Sequence, residues 1–249
     1  MKDLISIIIP YFKKKEFFKE TIESVKNQSY KNFEIILIYD DIDKTDLKFV
    51  KHTLKKIKYK KIIINKNNLG AGISRNLGIK KSKGKFIAFL DADDVWYKNK
   101  IKKQINFMRK KKVHFSFSNY SIINKNNKII KIIKAPKQIK FIDLLFACDI
   151  GLSSVILESN LLKNRKFSGL KTKEDYLLWL SLAKDGIKMM SINETLVSWR
   201  KTDNSLSTSV IQKLSDAFTI YNKYLKFNFV KSILHVFALS LNFLNKRYL

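Results

Sequence analysis

Through the first half of the chain, short runs of β-branched residues alternate with stretches whose apolar positions recur at helical spacing. Leu4 to Ile9, Phe33 to Tyr39, Lys61 to Ile64 and Lys85 to Leu90 have the length and composition of buried strands. Between them, Phe18, Ile22 and Val25 share one helical face, as do Leu47, Val50, Leu54 and Ile57. A third helix is predicted to start near Gly70 and to end by Lys81-Ser82-Lys83-Gly84. Strand and helix in regular alternation predict βαβ units and a mostly parallel, doubly wound α/β sheet flanked by helices. A helix with Ile101, Ile105 and Met108 on one stripe then leads to a strand over Val113 to Tyr120.

The later pattern is looser. Asn124 to Lys128 reads as a polar turn, Ile129 to Lys134 as a strand and Phe141 to Cys148 as a short helix. Thr172 to Lys184 is apolar on most sides and predicts a buried helix. Beyond Ser207, the spacing of Ile211, Leu214, Phe218, Tyr221 and Leu225 predicts one amphipathic helix. Ser232 to Asn245 is free of charge and largely apolar, about 14 residues where about 20 are needed to span a bilayer. Flanked by Lys231 and Lys246-Arg247, it suits a helix lying on an anionic leaflet, or one packed on its own domain or on a second subunit to form a homo-oligomer. Leu4 to Pro10 is too short for a signal sequence or a span, so a cytoplasmic protein is expected.

Composition narrows the classes further. With 249 residues, 45% of them hydrophobic, the chain can bury a sizeable core. One cysteine, Cys148, excludes an internal disulfide framework and a multi-cysteine zinc site, and it reads as a small buried hydrophobe. Fifty Lys and Arg against 21 Asp and Glu give a net charge of +29, which attracts polyanions such as phospholipid surfaces or nucleic acid. Only Arg75, Arg109, Arg165, Arg200 and Arg247 are arginines. Together with abundant Ile and Asn, this assigns about half of the basic excess to an AT-rich coding bias and solvated surface, and nucleic-acid readers favour arginine, so a nucleic-acid partner is not expected. His52, His114 and His235 are scattered and form no metal cluster.

In an open α/β sheet ligands bind at the carboxyl ends of the strands, so the residues just after each strand carry the chemistry. Pro10-Tyr11 follows the first strand, Asp40-Asp41 the second, and Asp91-Ala92-Asp93-Asp94 the fourth; Asn68 to Asn76 opens the third helix. Three carboxylates crowding a strand end repel one another unless a cation neutralises them. Mg²⁺ or Mn²⁺ uses one or two carboxylates and completes its shell with phosphate oxygens and water, which points to a diphosphate ligand. No Gly-x-Gly-x-x-Gly follows the first strand and no P-loop occurs, so dinucleotide and P-loop sites are not supported. Glu174-Asp175 opens the buried helix. The pair suits a general base beside such a site, while Thr172 to Asp175 also fits a helix capping box.

Seven segments in order resemble the family 2 glycosyltransferases, inverting nucleotide-sugar enzymes of the GT-A fold. They are Ser6 to Tyr11, Asn27 to Tyr30, Phe33 to Asp41, Asn68 to Gly78, Gly84 to Asp94, Glu174 to Leu180 and Trp199 to Ser205. The resemblance implies a GT-A domain over residues 1–205, with 1–120 the nucleotide-sugar-binding half and 121–205 the acceptor-binding half, and a helical extension over 206–249. It implies that Pro10 and Tyr11 line the nucleoside pocket, that Asp41 accepts from the base, most often uracil, and that Arg75 faces the nucleotide. Asp91, with Ala92, would hold ribose or donor sugar, and Asp93 would ligate Mn²⁺ or Mg²⁺. Asp175 would deprotonate the acceptor hydroxyl with Glu174 beside it. Thr202 stands where many relatives carry a histidine, which leaves Arg200 or Lys201 to contact the diphosphate. The activity so implied is transfer of a hexose or N-acetylhexosamine from a UDP sugar to a surface glycan such as lipooligosaccharide, lipopolysaccharide or capsule, at the inner face of the membrane. A polyprenyl-phosphate sugar synthase, or a basic membrane- or nucleic-acid-binding module without catalysis, is the alternative.

Overall fold

A computed structural model of the chain describes residues 3–202 and 209–248. Asp203-Asn204-Ser205 and the expected boundary between residues 205 and 206 lie outside the described residues, as do the side chains of Lys246 and Arg247.

Strand β1 (Ile5–Tyr11) pairs in parallel with β2 (Phe33–Tyr39) on one side and β4 (Phe86–Phe89) on the other, and β2 pairs in parallel with β3 (Lys60–Ile64). The intervening helices are α1 (Lys15–Lys26), α2 (Leu47–Thr53) and α3 (Ala71–Lys81). Because side chains alternate across a strand, Ile5, Ile7 and Ile9 enter one core with Phe18, Ile22, Val25 and Val50, while Ile8 enters the other. That second core lies under α3, where Gly78 lets the helix approach: a Cβ there would stand 2.5 Å from Ile8 Cγ2.

The sheet continues in the order β3-β2-β1-β4-β9-β6-β10-β5. Here β5 is Val95–Trp96, β6 Phe115–Ile123, β9 Ile156–Glu158 and β10 Met189–Arg200; β7 (Ile129–Ile133) and β8 (Gln138–Ile139) pair at the side of β6 and β10. Short β9 runs antiparallel between β4 and β6, so the parallel run predicted by the hydrophobic pattern holds through the first four strands and then becomes mixed. Helix α4 (Lys100–Lys111) buries Ile101, Ile105 and Met108, as its spacing predicts.

Several expectations are corrected. The helix expected over Phe141 to Cys148 is α5 (Phe141–Leu144), one turn long, and Cys148 is exposed rather than buried. Burial falls instead on Leu144 at the end of α5 and on Leu145 and Ile150 in the loop after it. The buried helix is α6 (Glu174–Lys184), and no capping box forms. The amide and hydroxyl of Thr172 both donate to Asp216, 2.8 Å each, and Lys173 takes a left-handed conformation, φ 60°. The stripe from Ile211 to Leu225 is split between α7 (Val210–Thr219) and a π-helical stretch, Ile220–Tyr224. Within that stretch Tyr221 reaches inward to Tyr176 Oη at 2.9 Å, whereas Ile211 and Leu214 of α7 are exposed. Helix α8 (Phe229–Tyr248) closes the described chain. Among the described residues, no helix is long and apolar enough to cross a membrane.

Candidate active site

The carboxyl ends of β1, β2 and β4 and the N-termini of α3 and α6 come together at one edge of the sheet. Asp40, after β2, is buried and holds the loop that starts α3: it accepts from the amides of Leu69 and Gly70, 2.8 Å each, and from Asn65 Nδ2 at 2.7 Å. Gly70 at φ 82° turns the chain into the helix. Asp40 is thus the structural member of the acidic pair. Asp41, also buried, accepts from the Asp43 amide at 3.2 Å.

Tyr11 is wholly buried. Its ring stacks on Tyr39 at 5.3 Å and its hydroxyl donates to Asp46 at 2.8 Å, so burial and that carboxylate raise the phenol above its usual range. Pro10 beside it is partly exposed.

Arg75 on α3 is the junction of the site. Only 3% exposed, it donates through Nη2 to Asp91 at 2.7 Å and through Nη1 to Glu174 at 2.5 Å. Its guanidinium also lies over the Phe167 ring at 5.5 Å, and Asn76 exchanges both hydrogen bonds with the Phe167 backbone, which fixes α3 against the chain leading to α6. Gly72 makes this approach possible: a Cβ there would meet Ser168 O at 2.6 Å and Glu174 Cγ at 3.0 Å.

The three aspartates after β4 have different partners. Asp91 is held by Arg75. Asp93 accepts the Lys14 ammonium at 2.7 Å, and Lys14 also donates to Thr202 Oγ1 at 3.3 Å. Asp94 is buried, accepts from Ser153 Oγ at 2.5 Å and from the Arg200 amide at 2.9 Å, and has its pKa pushed well up by burial and by Asp93 and Asp91. Ala92 is buried, and its carbonyl accepts from Thr21 Oγ1 at 3.0 Å.

Arg200 is also buried. Its Nε donates to the Asp93 carbonyl at 2.9 Å, Nη1 to Asn127 Oδ1 at 2.8 Å and Nη2 to Glu20 at 2.7 Å, and the guanidinium stacks on Phe17 at 4.6 Å. With its donors committed in this way, it braces the aspartate turn. Lys201 is exposed.

Asp175 follows Glu174 on the first turn of α6 and accepts from the Tyr176 amide at 2.7 Å. Burial and the neighbouring Glu174 charge raise its pKa to about 7, with Arg75 pulling the other way. Arg75 therefore links Asp91, two residues before Asp93, to Glu174, next to Asp175: carboxylates far apart in sequence share one site.

The donor set fits a divalent ion whose shell is completed by substrate. Among the described residues no group of three His, Cys, Asp or Glu side chains could hold a metal alone. Asp91 and Asp94 are engaged with Arg75 and Ser153, while Asp93 already draws a cation, the Lys14 ammonium. One carboxylate plus phosphate oxygens and water is how Mg²⁺ and Mn²⁺ are commonly held. The histidines stay outside the site: His114 pairs with Glu158 at 2.9 Å, and His235 stacks on Tyr221 at 5.1 Å. Sequence reasoning missed Lys14 and Ser153. Lys14 carries no signal among 50 basic residues, and Ser153 lies in a short turn without a motif.

The structure is similar to S. aureus TarS solved in complex with UDP-GlcNAc, with a TM-score of 0.73 and 17% identity over 93% of this chain and 70% of that one. It is also similar to the mannosyltransferase PcManGT from Pyrobaculum calidifontis solved with GDP-Man and Mn²⁺, with a TM-score of 0.69 and 13% identity over 94% of this chain and 68% of that one. The fold is GT-A, the class in which an open α/β sheet carries a nucleotide-sugar site at its strand ends. Residues 6–165 match the profile of glycosyl transferase family 2, and the chain belongs to that family and is a glycosyltransferase. Among curated relatives, it is 40% identical to the E. coli UDP-Glc:alpha-D-GlcNAc-diphosphoundecaprenol beta-1,3-glucosyltransferase WfaP, over 85% of this chain and 83% of that protein.

Proposed function

We propose that this glycosyltransferase moves a hexose or N-acetylhexosamine from a UDP sugar to a lipid-linked intermediate of a surface glycan, with inversion at the anomeric carbon. The observation that carries the reading is Arg75 joined at once to Asp91 and Glu174, which sets the aspartate cluster against the helix of Asp175. The UDP-Glc donor and diphosphoundecaprenol-linked acceptor of WfaP support this choice of substrates; the TarS complex with UDP-GlcNAc supports a UDP-linked donor, and the PcManGT complex with GDP-Man and Mn²⁺ supports use of a divalent ion.

In this reading residues 1–120 bind the donor and 121–205 the acceptor, and residues 206–249 are an appended helical unit. Pro10 and Asp41 border the nucleoside, and Tyr11 braces that strand end from beneath. Asp91 and Ala92 border ribose and donor sugar. Asp93 holds Mn²⁺ or Mg²⁺, which when bound offsets charge growing on the departing diphosphate. Lys14 and Lys201 lie at the same edge to meet phosphate oxygens. Arg75 balances the acidic cluster. Asp175, with a pKa near working pH, accepts the proton of the acceptor hydroxyl, and Glu174 raises its basicity. A carboxyl tuned in this way favours an alcohol acceptor over a lipid phosphate, whose oxygen is already ionised. The enzyme works at the inner face of the cytoplasmic membrane, where a lipid-linked acceptor is presented.

The test is UDP release from a panel of nucleotide sugars with Mn²⁺ and a GlcNAc-diphospholipid acceptor. Release is expected to depend on acceptor and to fall by about 10²–10⁴ in Asp175→Asn. Full transfer by Asp93→Ala or Asp175→Asn would overturn the assignment.

A further inference from the structure

Helix α8 turns its most apolar face away from the protein. It packs inward through Ser232, His235 and Leu239, which are 0, 8 and 6% exposed. At about 100° per residue these three fall on one side of the helix, and Val230, Ile233, Leu234, Phe237 and Leu241 fall directly opposite. Those five are 43–66% exposed. Phe146, in the loop after α5, extends the surface: its ring is 5.0 Å from His235, and its carbonyl accepts from Asn242 at 2.9 Å.

The chain leading into this helix is basic. Between residues 204 and 249 the sole acidic side chain is Asp216, which is buried, whereas Lys223, Lys226 and Lys231 are exposed. A two-fold contact with a second copy would bring these lysines together with no exposed acid from the same segment to meet them. Anionic headgroups match them.

We infer that the outward face of α8 docks on an anionic lipid surface, with its apolar side chains in the interface and Lys223, Lys226 and Lys231 at the headgroups. The helix lies on the bilayer rather than crossing it. Asp216 of α7 accepts from Thr172, and Tyr221 bonds Tyr176, so the docked unit is latched to both ends of the turn that bears Glu174 and Asp175. Docking then holds the base close to a lipid-linked acceptor, a consequence that rests on the transferase reading; the docking itself does not.

The test is co-sedimentation of the full chain with vesicles of phosphatidylcholine alone or mixed with phosphatidylglycerol, alongside light scattering of the protein without lipid. At least about tenfold more protein is expected to partition onto the anionic vesicles. Leu234→Glu with Phe237→Glu should abolish that partitioning, and Lys226→Glu with Lys231→Glu should cut it by about tenfold. Both variants should keep the wild-type thermal midpoint and Mn²⁺-UDP affinity, which separates failure of docking from failure of the transfer reading. Equal partitioning onto neutral and anionic vesicles, no partitioning, or a dimer that the Leu234/Phe237 variant turns into a monomer would overturn the inference.

Discussion

Asp175 couples the chemistry of the site to the stability of the fold, and replacing it by Asn separates the two. In the folded chain burial and Glu174 raise its carboxyl from 3.8 to about 7. A carboxyl held at a higher pKa folded than unfolded binds its proton more tightly in the native state, so stability falls as pH rises between about 4 and 7, and the full cost stands above that window. About three pH units at about 1.4 kcal/mol each set an upper limit of about 4 kcal/mol. Glu174 and Arg75 share the same charge balance and readjust, so a gain of about 1–3 kcal/mol is expected for Asp175→Asn at pH 8. The amide keeps the shape and can still accept from the Tyr176 amide. The assay is thermal unfolding of wild type and variant at pH 4.5, 6 and 8, beside UDP release at pH 8. The variant should be more stable at pH 8 by several degrees, indistinguishable near pH 4, and inactive in transfer, while the wild-type rate climbs through about pH 7. A variant no more stable at pH 8 than wild type, or one that transfers at the wild-type rate, would refute the reasoning.

Other consequences follow from single contacts. Gly72→Ala drives a methyl into Ser168 O and Glu174 Cγ, so a loss of about 1–3 kcal/mol in urea unfolding and about a tenfold fall in transfer are expected; an unaffected variant would show that the start of α6 yields freely. Lys14→Met removes the ammonium from Asp93, so free Mn²⁺ should bind several-fold more tightly by electron paramagnetic resonance, and an unchanged affinity would mean that Lys14 does not compete for that carboxylate. Arg200→Lys loses the fork that ties the Asp93 carbonyl to Glu20 and Asn127, with an expected cost of about 2–4 kcal/mol, and a loss below about 0.5 would contradict its bracing role.

What the sequence shows and what it hides divide along physical lines. The first four strands and α1 were legible because Ile7, Ile9, Phe18 and Ile22 are buried at fixed periods, and periodicity is what a one-dimensional pattern records; α2 stops at Thr53, so Leu54 and Ile57 of the expected helical stripe are buried from the turn that follows. Strand β9 has three residues and its pairing depends on β4 and β6 from elsewhere in the chain, so nothing local announces it. Residue type and position alone mark strand-end acids without telling Asp40 from Asp41 or Asp93 from Asp94; the family resemblance singles out Asp41 and Asp93, and the structure gives each of the four its own partners. Arg200 shows the same limit. An arginine near an expected diphosphate reads as a ligand, and only burial against Phe17 and Glu20 shows it bracing the turn. Thr172 reads as a cap by spacing, yet Asp216, distant in sequence, takes both its donors.

The central claim is that aspartates from separate strand ends gather one divalent ion and one nucleoside diphosphate. Calorimetric titration of UDP into the wild-type chain and into Asp93→Ala, each with Mn²⁺ and with EDTA, tests it most directly. Binding to wild type at least about tenfold tighter with Mn²⁺ than with EDTA, and insensitive to Mn²⁺ in the variant, is the expected result. Equal affinity in all four titrations, or no binding of UDP in any, would contradict it.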